Sequence, residues 1–87
     1  MKIKKGFVLR AVGNEHVVVP VGEISKTFHG MINLNETGAF LWRFFSEEHT
    51  AEEAILALCS EYLADKAQVE IDVNRFIDIL TNNGFCE

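Results

Sequence analysis

The spacing of apolar residues changes once along this 87-residue chain, and this change constrains the fold more than any other sequence feature. Up to the segment "LNETGAFLW", residues 34–42, apolar and β-branched residues gather in short runs of strand type. From Leu34 onward they recur at the helical spacing of 3.6 residues. Strands therefore come first and helices follow, and this segregation predicts an α+β fold.

The first third of the chain predicts a β-hairpin. The strand-like runs "GFVLRAV", residues 6–12, and "HVVVPV", residues 16–21, lie on either side of "GNE", where Gly13 and Asn14 favour a tight turn. Pro20 cannot donate a ladder hydrogen bond, so we expect it at the end of the second strand or on a sheet edge.

A third short strand is predicted at "MINL", residues 31–34, after the loop "GEISKTFHG". Ile32 and Leu34 would share one face of it, with Met31 and Asn33 on the other. A sheet of three strands cannot close, so one edge is open or must be covered. The segment from Gly30 to Asn35 is uncharged and lacks the lysines and prolines that usually block strand addition, so it is the candidate open edge.

Three helices are predicted after the strands. The first runs from Glu36 to Phe45 behind an asparagine cap at Asn33 or Asn35 and directs Leu41, Trp42 and Phe45 into the core. The second begins with a capping box of Thr50 and Glu53. Its expected buried stripe consists of Ala54, Ile55, Leu58, Cys59 and Tyr62.

The third helix repeats the capping-box spacing at Asp65 and Gln68 and ends at Asn83 and Gly84. Its expected buried face consists of Val69, Val73, Phe76, Ile77 and Leu80. Ile71 and Ile79 lie off that face, either as ordinary partly exposed residues or as the wall of a groove. The whole prediction is a winged-helix-like domain over residues 1–87, with a three-stranded antiparallel sheet followed by three helices.

Charge is distributed unevenly between the two parts of the chain. Residues 1–33 hold five basic and two acidic residues, a net charge of +3, whereas the remainder holds three basic and eleven acidic residues, a net charge of −8. Nucleic-acid binding draws its affinity from clustered lysines and arginines, so the acidic helices argue against a nucleic-acid partner.

The sequence offers little for catalysis or for metal binding. His16, His29 and His49 lie far apart with no Cys, Ser or Asp at a motif spacing, and no CxxC, HxxxH or glycine-rich phosphate loop occurs. We therefore expect a protein that is not an enzyme and has neither a cofactor nor a metal site. Cys59 and Cys86 are interpreted as reduced thiols. The sequence contains no membrane-spanning run or signal peptide, which favours a cytoplasmic location.

Four segments together resemble a known family. "KGFVLRAVGNEHVVVPVG", then "LNETGAFLW", then an acidic capped helix and the closing "VNRFIDILTNNGF" are similar to the PqqD family of peptide-binding proteins, also called RiPP recognition elements. The resemblance covers residues 3–85 in the family's order and spacing.

The resemblance implies a non-catalytic peptide chaperone. It would bind the leader of a ribosomally made precursor peptide as an added strand and present it to a modifying enzyme, such as a radical SAM protein. Placed by element, the implied peptide-binding residues are Gly30, Met31, Ile32 and Asn33 on the third strand and Val69, Asp72, Val73, Arg75 and Phe76 on the third helix. A groove beside an acidic helix would suit a leader with some basic residues.

Other interpretations stay open on the sequence. The family serves many peptide products, so pyrroloquinoline quinone synthesis is one pathway among several. An oligomerising module is the main alternative, since an exposed edge can pair with a second copy to form a homodimer. Exchange of the loop from Val21 to Gly30 would be a route to such a dimer.

Overall fold

The computed structural model describes residues 1–27 and 31–87 of the chain. It contains strands β1 (Phe7–Val12), β2 (Glu15–Pro20) and β3 (Ile32–Leu34), with a short 3-10 turn at Gly22–Lys26 between β2 and β3. Helices α1 (Glu36–Phe44), α2 (Ala51–Tyr62) and α3 (Lys66–Asn82) follow. The predicted α+β order of three strands and three helices is confirmed.

The three strands form one antiparallel sheet in the order β1-β2-β3. Gly13 turns the β1–β2 hairpin with a φ of 63°, in the left-handed region that favours glycine. Val18 pairs with Leu9 on one side and with Ile32 on the other, which places these three side chains on the same face. Val18 is fully buried, so this face of the sheet covers the core.

An aromatic cluster joins the sheet to α1 and to the end of the chain. The ring of Trp42 lies 6.1 Å from that of Phe7 and 5.5 Å from that of Phe85, both edge-to-face. Leu41 and Phe45 are also buried, as their helical spacing predicted. The conspicuous apolar face of "LNETGAFLW" therefore packs behind the sheet and supports it.

The caps of α1 and α2 follow from their sequences. The Asn35 side chain accepts a hydrogen bond from the Gly38 amide at 2.8 Å and thereby begins α1. Thr50 and Glu53 form the predicted reciprocal capping box at the start of α2. Helix α1 ends at Phe44 rather than at Phe45, because Phe45 serves as its C-cap.

The predicted capping box of α3 is wrong. Asp65 occupies the N-cap position but makes no side-chain capping hydrogen bond. The amide of Gln68 instead donates to the Asp72 carboxylate at 3.0 Å, so the side chain that would complete the box is engaged one helical turn further on. The C-terminal signal is confirmed: Asn83 is the C-cap and Gly84 has a φ of 75°.

The buried stripe of α2 is shorter than predicted. Ala54, Ile55 and Leu58 are buried, Cys59 is half-buried, and Tyr62 is 39% exposed in the last turn. Tyr62 lies beside Leu63, whose left-handed backbone turns the chain towards α3. The last turn of α2 therefore lies at the margin of the core, where Tyr62 is covered only in part and its ring meets that of Phe40 edge-to-face at 5.9 Å.

The sequence did not predict how the chain ends are held. Ile3 forms an isolated antiparallel bridge with Cys86, and the Lys4 amide donates to the Phe85 carbonyl at 2.8 Å. Ile3 and Phe85 are both buried. The residues before β1 and after α3 thus pair with each other and close one side of the core.

Candidate groove at the β3 edge

The outer edge of β3 is the centre of the candidate site. Within the described residues, β3 pairs with β2 on one side and with no strand on the other. An open groove with a volume of about 330 Å³ begins at this edge and passes between the first turn of α1 and the exposed face of α3. Its described lining consists of Asn33, Leu34, Asn35, Thr37, Gly38, Leu41, Asp72, Arg75, Phe76 and Ile79.

Glycine at position 38 brings α1 close to β3. A Cβ atom there would lie 3.2 Å from both the Leu34 Cβ and the Asn35 Oδ1, which is tighter than ordinary van der Waals contact. Gly38 is buried in the first turn of α1, directly after the capping hydrogen bond of Asn35. The small residue therefore shapes one wall of the groove.

The floor of the groove is apolar and rigidly held. Leu41 is 2% exposed and Phe76 is 6% exposed, so each belongs to the core and also lines the groove. Ile79 is 41% exposed on the α3 side. Side chains anchored in a packed core keep their positions, so the groove is preformed rather than assembled on binding.

The structure brings together four of the residues that the family resemblance implied. Asn33 from β3 and Asp72, Arg75 and Phe76 from α3 all line the groove. Ile32 is half-buried in β3 and packs against the core, whereas Met31 lies just before the strand and is 66% exposed. Gly30 lies outside the described residues.

Val69 and Val73 are placed differently from that expectation. They are 2% and 0% exposed and belong to the core cluster, so their side chains do not line the groove. They lie on the face of α3 that packs inward, while residues 72, 75, 76 and 79 follow the groove. The assignment by element names the helix that lines the groove, but it includes part of the buried face of that helix.

Of the two off-stripe isoleucines, Ile79 is the groove-wall residue. Ile71 is 51% exposed and is absent from the groove lining. The helical spacing of Ile79 from Asp72, Arg75 and Phe76 was the sequence signal that could have separated the two. The contributions of Leu34, Asn35 and Thr37 carried no comparable signal, because they depend on how α1 packs beside β3.

The two charged side chains that line the groove, Asp72 and Arg75, differ in their contacts within the protein. Asp72 accepts the hydrogen bond from Gln68 at 3.0 Å. Arg75 is exposed and forms no ion pair within the part of the chain that the structure describes. Among residues 1–27 and 31–87, the Asp72 carboxylate thus has one hydrogen-bond partner and the Arg75 guanidinium has no ion-pair partner.

The histidines and cysteines lie away from this lining. His49 stacks on Phe44 with ring centroids 3.9 Å apart, and its Nδ1 lies 3.4 Å from a Glu53 carboxylate oxygen. His16 is half-buried in β2, and His29 lies outside the described residues. Burial raises the pKa of the Cys86 thiol, which favours its protonated form.

No cluster of metal-ligating side chains is found among residues 1–27 and 31–87. Over the same ranges, none of the helices has the length and apolar character needed to cross a membrane.

Comparison with solved structures places the fold and the groove in context. The chain is similar to TbiB1, whose structure was solved in complex with the TbiA(beta) leader peptide, with 28% sequence identity and a TM-score of 0.75. The similarity covers 100% of this chain and 95% of the TbiB1 chain. No curated protein sequence gives a significant match.

The family model of coenzyme PQQ synthesis protein D (PqqD) matches residues 15–85. The match includes β2, β3 and all three helices and therefore contains every described residue that lines the groove. The chain thus belongs to the PqqD family.

Proposed function

We propose that residues 1–87 act as one non-catalytic peptide-binding domain that receives the leader of a ribosomally made precursor peptide as a fourth strand on β3. The observation that carries this proposal is the open, uncharged edge of β3 lying directly beside a groove on α3. The edge supplies backbone hydrogen bonds, and the groove supplies side-chain selection.

The backbone of β3 is suited to strand addition. Consecutive residues of an antiparallel strand direct their N–H and C=O groups alternately to the two sides, so β3 uses some of its polar groups with β2 and leaves others at the outer edge. A guest strand would satisfy these outer groups. The neighbouring Asn33 and Met31 are exposed and carry no charge that would oppose it.

The groove provides side-chain contacts, which the backbone edge of β3 alone does not supply. A guest strand on β3 would direct alternate side chains towards Leu41, Phe76 and Ile79, whose apolar surfaces line the groove. Burial of a guest side chain there contributes on the order of 1.5–3 kcal/mol for a fully buried aliphatic or aromatic group. Such contacts separate one peptide from another, which backbone hydrogen bonds alone cannot do.

The similarity to TbiB1 supports the choice of guest. That protein has the same fold over nearly its entire length and was solved with a leader peptide. We propose that this chain likewise binds a leader and delivers it to a peptide-modifying enzyme, such as a radical SAM protein, in the maturation of a PQQ-type or another peptide product. The described groove lining contains no histidine, cysteine or lysine, and this composition favours binding over catalysis.

The test is an NMR titration of the isotopically labelled chain with candidate leaders encoded by short reading frames beside its gene. We expect the largest shifts at residues 31–34 and on the groove side of α3 around Arg75 and Ile79. Shifts confined to β1 or to α2 would contradict the proposal.

A second measurement tests strand addition itself. N-methyl groups placed one at a time along the bound leader remove single backbone donors without altering the domain. We expect affinity to fall at alternate positions, by about 1 kcal/mol or more for each lost hydrogen bond. An affinity that is insensitive to every N-methyl group would contradict strand addition even if the groove is occupied.

A further inference from the structure

We infer that Arg75 selects an acidic side chain in the guest strand, at a position two residues from the apolar side chain that packs on Ile79. This inference rests on the proposed leader binding and specifies the class of peptide that the groove accepts. It differs from the expectation based on net charge, according to which an acidic helix would prefer a basic leader.

The position of Arg75 makes it the basic contact of the groove. Among the ten described residues that line the groove, Arg75 is the one basic residue and Asp72 the one acidic residue. Arg75 lies one turn after Asp72 and one turn before Ile79, so the three side chains follow the same face of α3.

The two charges are not equally available to a guest. The Asp72 carboxylate already accepts a hydrogen bond from Gln68 at 3.0 Å. The guanidinium of Arg75 carries five donors and forms no ion pair within the described part of the chain. A guest carboxylate can gain two parallel hydrogen bonds from Arg75, whereas a guest ammonium would share the Asp72 carboxylate with Gln68, which uses one of its two oxygens, and would lie near the Arg75 cation.

The facing wall does not offset this preference. Asn33, Asn35 and Thr37 are uncharged, and Leu34 and Gly38 are apolar. Glu36 stands between Asn35 and Thr37 in the sequence and Asp78 three residues after Arg75, but neither is among the described residues that line the groove. Salt screens exposed charges over about 8 Å at physiological ionic strength. Local contact with Arg75 then decides selectivity, and net charge affects mainly the rate of encounter.

Element geometry gives the spacing of the motif. Arg75 and Ile79 are four helical residues apart, a rise of about 6 Å along α3. Two residues of a β-strand span about 6.6 Å and point to the same face. The proposal places the guest strand along α3, and on that placement the pattern acidic-x-apolar, or the reverse for the opposite strand direction, matches both side chains.

The experiment is selection of short random peptides displayed on phage against the wild-type chain and against Arg75→Glu. Arg43→Glu is the matched control, since Arg43 is exposed on α1 and is not part of the groove lining. We expect the wild type and the control to enrich peptides with an acidic residue two positions from an apolar one. Arg75→Glu should enrich lysine or arginine at that position.

Synthetic copies of one enriched peptide then give the magnitude. Replacement of its acidic residue by glutamine should weaken wild-type binding about tenfold, as for a charge-assisted hydrogen bond, and more strongly at low salt than at high salt. The same replacement in the peptide should have little effect on its affinity for the Arg75→Gln variant.

The outcomes separate the two proposals. If no peptide is enriched by any of the three proteins and the candidate leaders cause no shift at β3, leader binding fails. If peptides bind at β3 but the charge preference is the same for wild type and Arg75→Glu, leader binding stands and the role of Arg75 is overturned.

Discussion

The two open edges of the sheet differ in ways that explain why one of them forms a site. β1 is six residues long, carries the exposed Arg10 and follows two lysines, and within the described residues it pairs with β2 alone. β3 is three residues long and uncharged. Charge near an edge opposes strand addition, so the longer edge is the protected one and the shorter edge the receptive one.

The larger difference lies beside the edges. Next to β3, the first turn of α1 and the exposed face of α3 enclose the groove of about 330 Å³. Near the start of β1, the neighbouring segment is the C-terminal tail of the same chain, which pairs with residues 2–4. An open edge therefore becomes selective when a helix supplies a wall, and the following experiments test this difference.

The largest effect is expected for Phe76→Ala. Phe76 is buried and lines the groove, so its loss should lower the free energy of unfolding by about 3–5 kcal/mol and also remove apolar contact with a guest. Urea unfolding and leader titration measure the two effects. Val73→Ala, at a buried position away from the groove, should lower stability by about 2 kcal/mol and leave the affinity of the folded protein unchanged. An affinity loss with Val73→Ala as large as that with Phe76→Ala would contradict the division of α3 into two faces.

The second-largest effect on leader affinity is expected when one lysine is added to each edge in turn, which compares the two edges directly. Asn33→Lys places a charge on β3 and should weaken a leader without acidic residues about tenfold, because lysine on an edge opposes pairing. Ala11→Lys makes the same change on β1 and should not alter affinity. Both positions are exposed, so both variants should fold. Equal affinities measured by fluorescence anisotropy would show that β3 is not the receiving edge.

The third-largest effect on leader affinity is expected within a matched pair, the two exposed isoleucines of α3. Ile79→Ala should weaken leader binding about fivefold, the equivalent of roughly 1 kcal/mol of lost apolar contact. Ile71→Ala removes the same atoms from a position outside the groove lining and should leave the affinity unchanged. The measurement is isothermal titration calorimetry, and similar losses for the two variants would count against the groove as the contact surface.

The smallest effect lies away from both edges, at the α2 cap. The Thr50 amide donates to Glu53 and holds the pKa of that carboxyl below its ordinary value of 4.5. A lowered folded-state pKa means that the cap contributes full stability above pH 4.5 and loses it as the pH falls through the folded-state value. Urea unfolding should show wild type more stable than Glu53→Gln at neutral pH, with the difference shrinking in acid, and leader affinity should be unaffected. A stability difference that is independent of pH would contradict the ionised cap.

Local sequence signals predicted most of the elements correctly. The capping residues Asn35 and Thr50 fixed where α1 and α2 begin, and Asn83 with Gly84 marked the end of α3. At Asp65 both halves of the capping box are missing: the Asp65 side chain makes no capping hydrogen bond, and the Gln68 side chain, which would form the other half, contacts Asp72. A spacing rule cannot decide between two hydrogen-bond partners of one side chain.

The candidate site was predictable by element and only partly by residue. The uncharged "MIN" segment indicated the open strand, whereas the isoleucines outside the main stripe of α3 left a groove wall as one of two interpretations. The sequence could not assign Val69 and Val73 inward and Ile79 to the groove, because the boundary between the two faces depends on where α1 and β3 pack against α3.

By itself the sequence determined the order of strands and helices, most helix ends and the lack of charge on β3, since each depends on residues close together in the chain. The tertiary structure decided which edge has a wall beside it, which face of α3 remains open, and that Arg75 remains unpaired within the described residues while Asp72 is engaged. These properties arise where segments distant in sequence come together, as Leu34 of β3 and Phe76 of α3 do in the lining of the groove, and the spacing of residues along one segment does not encode them.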